Sequence, residues 1–313
     1  MRPIPCILTI GSAHMELVMH LQAVPSPGET LLSDGGVVCV PGGKGTQGAV
    51  ALARLGARSV LCARLGQDDY GEQLCRIYRE EGVDTRFLGF DPAAATGASA
   101  FLLEESGESR CVVWRGANDR MDREQIAAAF ACMPDILSLQ PDLPFEVFTA
   151  AAQEARDRGV PIVLDASPLA PHYPLPELPE LEIFCLGEDA TFLYTGIHPY
   201  GTDACLRAAI DLTRKVSARH YVIKLGNRGC FLFDGRRHHI IGAYPVVAAD
   251  TSLAGDAFAA AMMIEYVRGG GQLLDACRYA NAAGALTVTQ PGNVFSLPTK
   301  DELVSFIDKN GLR

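Results

Sequence analysis

No excess of positive charge, no Cys-x-x-Cys pair, no long apolar run and no internal repeat occur in these 313 residues. The 27 Lys and Arg are outnumbered by 37 Asp and Glu, for a formal net charge of −10. That balance excludes nucleic acid and anionic membrane as principal partners, since both are held by basic surfaces. It leaves nucleotides open, because phosphate sites are built from local N–H groups. Ten cysteines without paired spacing, several inside apolar runs such as Val38-Cys39-Val40 and Phe184-Cys185-Leu186, read as buried reduced thiols. A reducing, cytoplasmic setting is expected. The N-terminal apolar run is too short for a signal peptide, and no stretch approaches the ~20 residues that cross a bilayer.

What is present is alternation. Strand-like runs at Cys6–Ile10, Ser59–Arg64, Ile136–Leu139, Pro161–Leu164, Glu182–Leu186, Tyr221–Leu225 and Cys230–Asp234 are separated by amphipathic runs. The latter fall near 45–55, 71–82, 122–132, 145–158, 202–217, 256–267 and 272–289. This order predicts one α/β domain over 1–313, with a mainly parallel sheet and helices on both faces. Ligands of such sheets bind at the strands' carboxyl ends. Residues 15–40 and 96–116 break the rhythm with strands unaccompanied by helices; the second is a hairpin of Ala98–Leu103 and Arg110–Trp114 around a polar turn at Glu104–Glu108. Together they can form a small β-sheet lid that excludes water. The Pro-rich stretch 168–179 reads as a loop.

The most informative segment is Asp250-Thr251-Ser252-Leu253-Ala254-Gly255-Asp256-Ala257-Phe258, where a turn opens straight into an Ala-rich helix. Free N–H groups and the positive end of the helix dipole favour an anion there. Asp256, in the first turn, is either a helix-start residue or a proton acceptor beside that anion. Gly43-Lys44-Gly45-Thr46-Gln47-Gly48 matches the dinucleotide pattern, but strand and β segments precede it, and Gly45 after Lys44 rules out a Walker loop. Leu225-Gly226-Asn227-Arg228-Gly229 is a tight turn between strands, and a polar cluster from Gly11 to Glu16 closes the first strand.

Taken in order, these segments resemble the ribokinase (PfkB) family of sugar kinases, closest to its ribokinase branch. Gly11-Ser12, Pro27-Gly28-Glu29-Thr30, Gly42-Gly43-Lys44-Gly45, Gly66-x-Asp68-x-x-Gly71 and Gly116-Ala117-Asn118 carry the likeness. So do the 225–229 turn, 250–258 and the tail from Ala280-Asn281 to Pro298. The resemblance implies ATP- and Mg2+-dependent phosphorylation of a hydroxymethyl group on a sugar or sugar-like molecule. It makes Asp256 the general base and Leu253, Ala254 and Gly255 the anion hole. His14, Glu16, Gly43, Lys44, Gly45, Thr46, Gln47 and Asp142 would face the sugar. Lys224, Leu225, Gly226, Asn227, Arg228, Gly229, Gly255 and Asn281 would line the ATP site. Asp250, Ser252, Thr287, Gln290, Gly292 and Ser296 match positions that hold a monovalent cation, K+, in ribokinases, and the lid strands imply a homodimer.

The chain also departs from the family. His14 and Glu16 stand where ribokinase has Asn and Asp, Thr46 and Gln47 replace Ala-Asn, and Asp142 replaces a Glu. Sites that pair hydroxyl groups discriminate strongly on such details, so ribose is not the expected substrate. The family's Asn-x-x-Glu motif, which organises magnesium and phosphate, aligns with Gly187-Glu188-Asp189-Ala190, leaving Glu188 as the candidate magnesium residue. Leu253 stands where relatives carry Gly or Ala. These losses keep open a catalytically weakened sugar or nucleotide sensor; a nucleoside kinase and an NAD-dependent oxidoreductase are further alternatives.

Overall fold

The computed structural model describes residues 4–32, 35–105, 109–167 and 177–311, so most of the Pro-rich stretch and part of the 104–108 turn lie outside the described residues. The strands of the main sheet, numbered along the chain, are β1 (Cys6–Ile10), β4 (Arg58–Cys62), β9 (Ile136–Leu139), β10 (Ile162–Asp165), β11 (Leu181–Gly187), β12 (Ala218–Lys224), β13 (Cys230–Phe233) and β14 (His238–Ile241). Their order is β14-β13-β12-β11-β10-β9-β1-β4. From β4 to β12 the pairs are parallel, and β13 and β14 add an antiparallel hairpin at one edge.

The central strands are short apolar runs because helices cover both of their faces. In β1, Ile7 enters one core cluster while Cys6, Leu8 and Ile10 enter the other, the two-residue period of a pleated strand. The first cluster is closed by α1 (Lys44–Arg54), α2 (Asp69–Glu80), α7 (Ala254–Arg268), α8 (Leu273–Thr287) and α9 (Lys300–Lys309). The second is closed by α3 (Arg123–Ala129), α4 (Phe145–Asp157), α5 (Glu188–Thr195) and α6 (Thr202–Thr213). Sequence periodicity misses β14, α5 and α9. Three of the four β14 residues are exposed and α5 buries only Ala190 and Thr191, so neither carries a clear apolar pattern. The start of α9 was readable as a capping box between Thr299 and Glu302. Eight of the ten cysteines are buried as expected, but Cys39 and Cys111 are exposed. They sit on strands of the second sheet, where the main core does not reach.

That second sheet joins β2 (His14–Leu21), β3 (Val37–Gly42), β7 (Gly97–Glu104) and β8 (Ser109–Trp114) in the order β3-β2-β7-β8. The two segments that broke the rhythm therefore meet, with β2 and β7 parallel. Its root is fixed by polar staples. Asn118 accepts from the Ala13 amide at 3.0 Å and donates to the Ala13 carbonyl at 2.8 Å. Asp68 caps α2 through the Gly71 amide at 2.9 Å and also accepts from the Thr96 amide at 2.7 Å. A short parallel pair, β5 (Arg64–Gly66) and β6 (Gly89–Asp91), lies in the same stretch of chain. Two of the glycine motifs thus tie the small sheet to the main one.

The end of β1 and the start of α1 touch backbone to backbone. A Cβ on Gly45 would lie 2.5 Å from the Gly11 carbonyl carbon and 2.7 Å from the Ser12 oxygen. Gly45→Ala is therefore expected to cost about 1–3 kcal/mol through overpacking, read as a lowered denaturant midpoint. An unchanged midpoint would refute this close approach.

Candidate active site

A cavity of about 520 Å3 lies between the small sheet and the carboxyl ends of the main strands. Its polar lining includes Ser12, His14, Glu16, Lys44, Gln47, Asp142 and Asp256, and Leu253 and Gly292 border it. The strand pattern puts these groups there: β1 ends just before Ser12, β9 just before Asp142, and Glu16 projects from β2. Asp142 accepts from the Ser12 hydroxyl and from the Lys44 amide, the latter at 3.2 Å. Its Oδ1 is buried with no partner among the described residues, which leaves an unsatisfied acceptor on a residue that lines the cavity. Burial raises the Asp142 carboxyl above its ordinary range.

Asp256 is the third residue of α7, 6% exposed, and both its oxygens meet the Lys44 ammonium, at 3.2 and 3.0 Å. Burial alone would pull the Lys44 ammonium down, but Asp256 beside it carries the group above its ordinary value. A second ion pair stands close by. Lys224, the last residue of β12, meets Asp165, the last of β10, at 2.8 and 2.9 Å. Asp165 escaped the sequence reading, although its place at the end of an apolar strand was the available signal.

No side chain caps α7. The amides from Leu253 to Gly255 have no partner within the helix and, among the described residues, no side-chain partner. Leu253 adopts φ 60° and ψ −2°. It and Met133 are the non-glycine residues with positive φ among the described residues. A Leu in this left-handed conformation carries strain of roughly 1–2 kcal/mol. The turn holds it there while the side chain packs on the core cluster and borders the cavity.

The family model for pfkB family carbohydrate kinases matches residues 6–300. The chain belongs to the pfkB carbohydrate kinase family. It is 28% identical to the ribokinase of Haemophilus influenzae over 304 residues, 96% of this chain and 98% of that one. It is 30% identical to the ribokinase of Bacillus subtilis over 306 residues, 95% and 97% of the two chains. The fold superposes with a TM-score of 0.84 on Arabidopsis thaliana ribokinase complexed with ribose and ATP, at 23% identity over 97% of this chain and 99% of that one. This pfkB kinase does not give Gly43 to Gly48 a dinucleotide-binding context. The loop follows β3 of the small sheet, not the first strand of the parallel sheet, so the oxidoreductase alternative falls.

The remaining positions inferred for the kinase divide. Gly43, at φ 95°, packs against Ser12 and lines the cavity with Lys44 and Gln47. Thr46 faces away: it is fully buried, and its hydroxyl meets the Tyr78 hydroxyl at 2.7 Å. Gly45 is buried against Gly11. Lys44 and Gln47, three residues apart, share the side of α1 that faces the cavity, while Thr46, two residues from Lys44, points the opposite way. Leu225 is core, and Gly226, Asn227 and Arg228 form a short 3-10 turn closed by Gly229 at φ 91°. The Asn281 amide donates to the Ile241 and Gly242 carbonyls, both at 3.1 Å, so it fixes the chain after β14. Glu188 is engaged by Arg228 at 2.6 Å. Among the described residues no three His, Cys, Asp or Glu side chains cluster as a metal site.

Asp250 accepts from the Ser252 and Gly292 amides at 2.7 and 2.9 Å, drawing together two loops of the inferred cation site. The Thr287 hydroxyl bonds the Ala283 carbonyl, Ser296 closes a capping box with Asn293, and the Gln290 amide bonds the Thr287 carbonyl. These contacts hold the two loops together around the inferred cation positions.

His14 is 5% exposed, and its Nδ1 has no partner among the described residues. Burial lowers its pKa from 6.5 to about 4, so it meets ligands as a neutral imidazole. Because the folded value lies below the unfolded one, its contribution to stability is complete above pH 6.5 and is lost as pH falls toward 4. Between pH 7 and 5 the wild type is expected to lose on the order of 1–2 kcal/mol more than His14→Asn in denaturant unfolding. Equal losses would show that His14 does not titrate in this way.

Proposed function

We propose that this kinase transfers the terminal phosphoryl group of ATP to a hydroxymethyl group of a sugar or sugar-like molecule other than ribose. The observation that carries the proposal is Asp256 in the first turn of an uncapped helix, on the wall of a half-open cavity where polar side chains converge on a largely apolar lining. The acceptor hydroxyl lies against the Asp256 carboxylate and the Lys44 ammonium. Its oxygen forms the new bond to the γ-phosphorus while its proton passes to Asp256. The bond from that phosphorus to the β,γ-bridging oxygen breaks, and ADP leaves with the electron pair. The transition state is loose, so positioning and charge stabilisation supply most of the acceleration. The N–H groups of Leu253 to Gly255 take the charge of the transferring group, as an oxyanion hole does.

The nucleotide lies along the 224–229 turn and the first turn of α7. Mg2+ accompanies its phosphates and supplies charge neutralisation when bound. The Glu188 carboxylate meets Arg228 through Oε2, so a magnesium role there would have to share it with that ion pair. A K+ would sit between the 250–252 and 287–296 loops, which Asp250 joins through the Ser252 and Gly292 amides, and no step is assigned to it. Acceptor choice rests on neutral His14, on Glu16 with its Ser99 contact at 3.2 Å, on Gln47 and on the free oxygen of Asp142. This set differs from ribokinase at every one of these positions, which disfavours ribose. The strained Leu253 and the Gly187/Ala190 positions support a second reading, a ligand-binding sensor with weak turnover.

Val112, Trp114 and Val37 are 72%, 57% and 57% exposed on the small sheet. Two lids packed together would cover them, giving a homodimer. Sedimentation velocity should show a dimer for the wild type and a monomer for Val112→Glu/Trp114→Glu; a monomeric wild type would overturn the assignment.

Asp256→Asn keeps the shape and removes the base. An ATP-consumption screen over pentoses, hexoses, nucleosides and sugar acids should find acceptor-dependent ADP formation that falls about 10²–10⁴-fold in this variant. Ligand-induced thermal stabilisation without turnover on any acceptor would favour the sensor instead.

A further inference from the structure

The Lys224–Asp165 pair is not used by the chemistry so far. Its side chains are 14% and 9% exposed, and the contact is bidentate at 2.8 and 2.9 Å. Taking two charges out of water costs as much as their attraction returns, so such a pair is weak support for stability. Its position is more telling. Asp165 and Lys224 end β10 and β12, the strands on either side of β11. A Cβ on Gly255 would stand only 3.2 Å from the Lys224 ammonium. The cation therefore lies beside the open first turn of α7, where the amides of Leu253 to Gly255 converge.

The same region lacks what relatives use to organise phosphate. Gly187 and Ala190 replace the Asn and Glu of that motif, an added Cβ on Gly187 would meet nothing within 4 Å, and Glu188 is bound to Arg228. Lys44 pairs with Asp256 and lines the cavity on the side assigned to the acceptor, whereas Lys224 does not line it. We propose that Lys224 is this protein's own cation for the transferring phosphoryl group, and that Asp165 is the positioning residue that holds it at the helix terminus. On the proposed phosphotransfer, with which this inference shares its ATP site, Lys224 binds the equatorial oxygens as charge develops and stays with the phosphorylated product until release. Gly255 serves it by having no side chain in the way.

The test uses full-length wild type, Lys224→Met, Lys224→Arg and Asp165→Asn. Calorimetric titration with ATP and with ADP is run beside the acceptor screen, and melting curves check folding. ATP should lose at least about tenfold more affinity than ADP in Lys224→Met, because the γ-phosphoryl loses a charge-assisted partner. With an acceptor in hand, kcat should fall about 10²–10³-fold with acceptor KM unchanged. Lys224→Arg should recover part of the loss. Asp165→Asn should fall between wild type and Lys224→Met without a matching loss of ATP affinity. Wild-type turnover together with equal ATP and ADP losses in Lys224→Met would overturn the inference and leave the kinase reading intact. Lys224-dependent ATP preference without turnover on any acceptor would sustain the inference and sink that reading. A wild type that binds no ATP would sink both. Should Lys224→Met fail to melt cooperatively, Lys224→Arg with unchanged ATP preference and unchanged kcat would decide against it.

Discussion

The first turn of α7 leaves backbone N–H groups without intrahelical partners or, among the described residues, side-chain partners, beside a half-open cavity. Polar groups left this way are costly unless a ligand or solvent meets them. The rest of the site is arranged around that deficit. Asp256 faces it from within the helix, Lys44 reaches it from α1, and the Asp165–Lys224 pair flanks it from the strand ends. Two cations and two carboxylates pair off beside this turn, so the formal charges of the four side chains balance.

This arrangement depends on tight backbone junctions more than on the amount of buried apolar surface. Gly11 against Gly45 sets where α1 begins, and hence where Lys44 points. Asn118 and Asp68 fix the root of the small sheet, and hence where His14 and Glu16 stand over the strand ends. Leu253 is the conspicuous irregularity. It occupies a conformation that favours glycine, so the turn at the start of α7 carries strain.

Much of the architecture was legible because apolar runs of four to seven residues alternate with longer amphipathic ones, and that pattern admits few topologies. Elements with weak patterns were lost: β14 is mostly exposed, and α5 buries little. Asp256 was legible because a small-residue turn, a carboxylate and an Ala-rich helix adjoin in sequence. Asp165 was not, since its partner Lys224 is distant in the chain and only the sheet brings them together. Thr46 was misread for the same reason. The family resemblance put it at the sugar with Lys44, but the helix turns its hydroxyl toward Tyr78 in the core. Sequence neighbours share a motif; they do not always share a face.

The central claim is that phosphoryl transfer is centred on the first turn of α7. A crystal structure with ADP, Mg2+ and aluminium fluoride, a mimic of the transferring group, tests it without knowledge of the acceptor. The account predicts the fluoride complex on the amides of Leu253 to Gly255, with the Lys224 ammonium on one side and Asp256 facing its open apex. A nucleotide bound with its phosphates directed away from this turn, or a mimic lodged elsewhere, would contradict it.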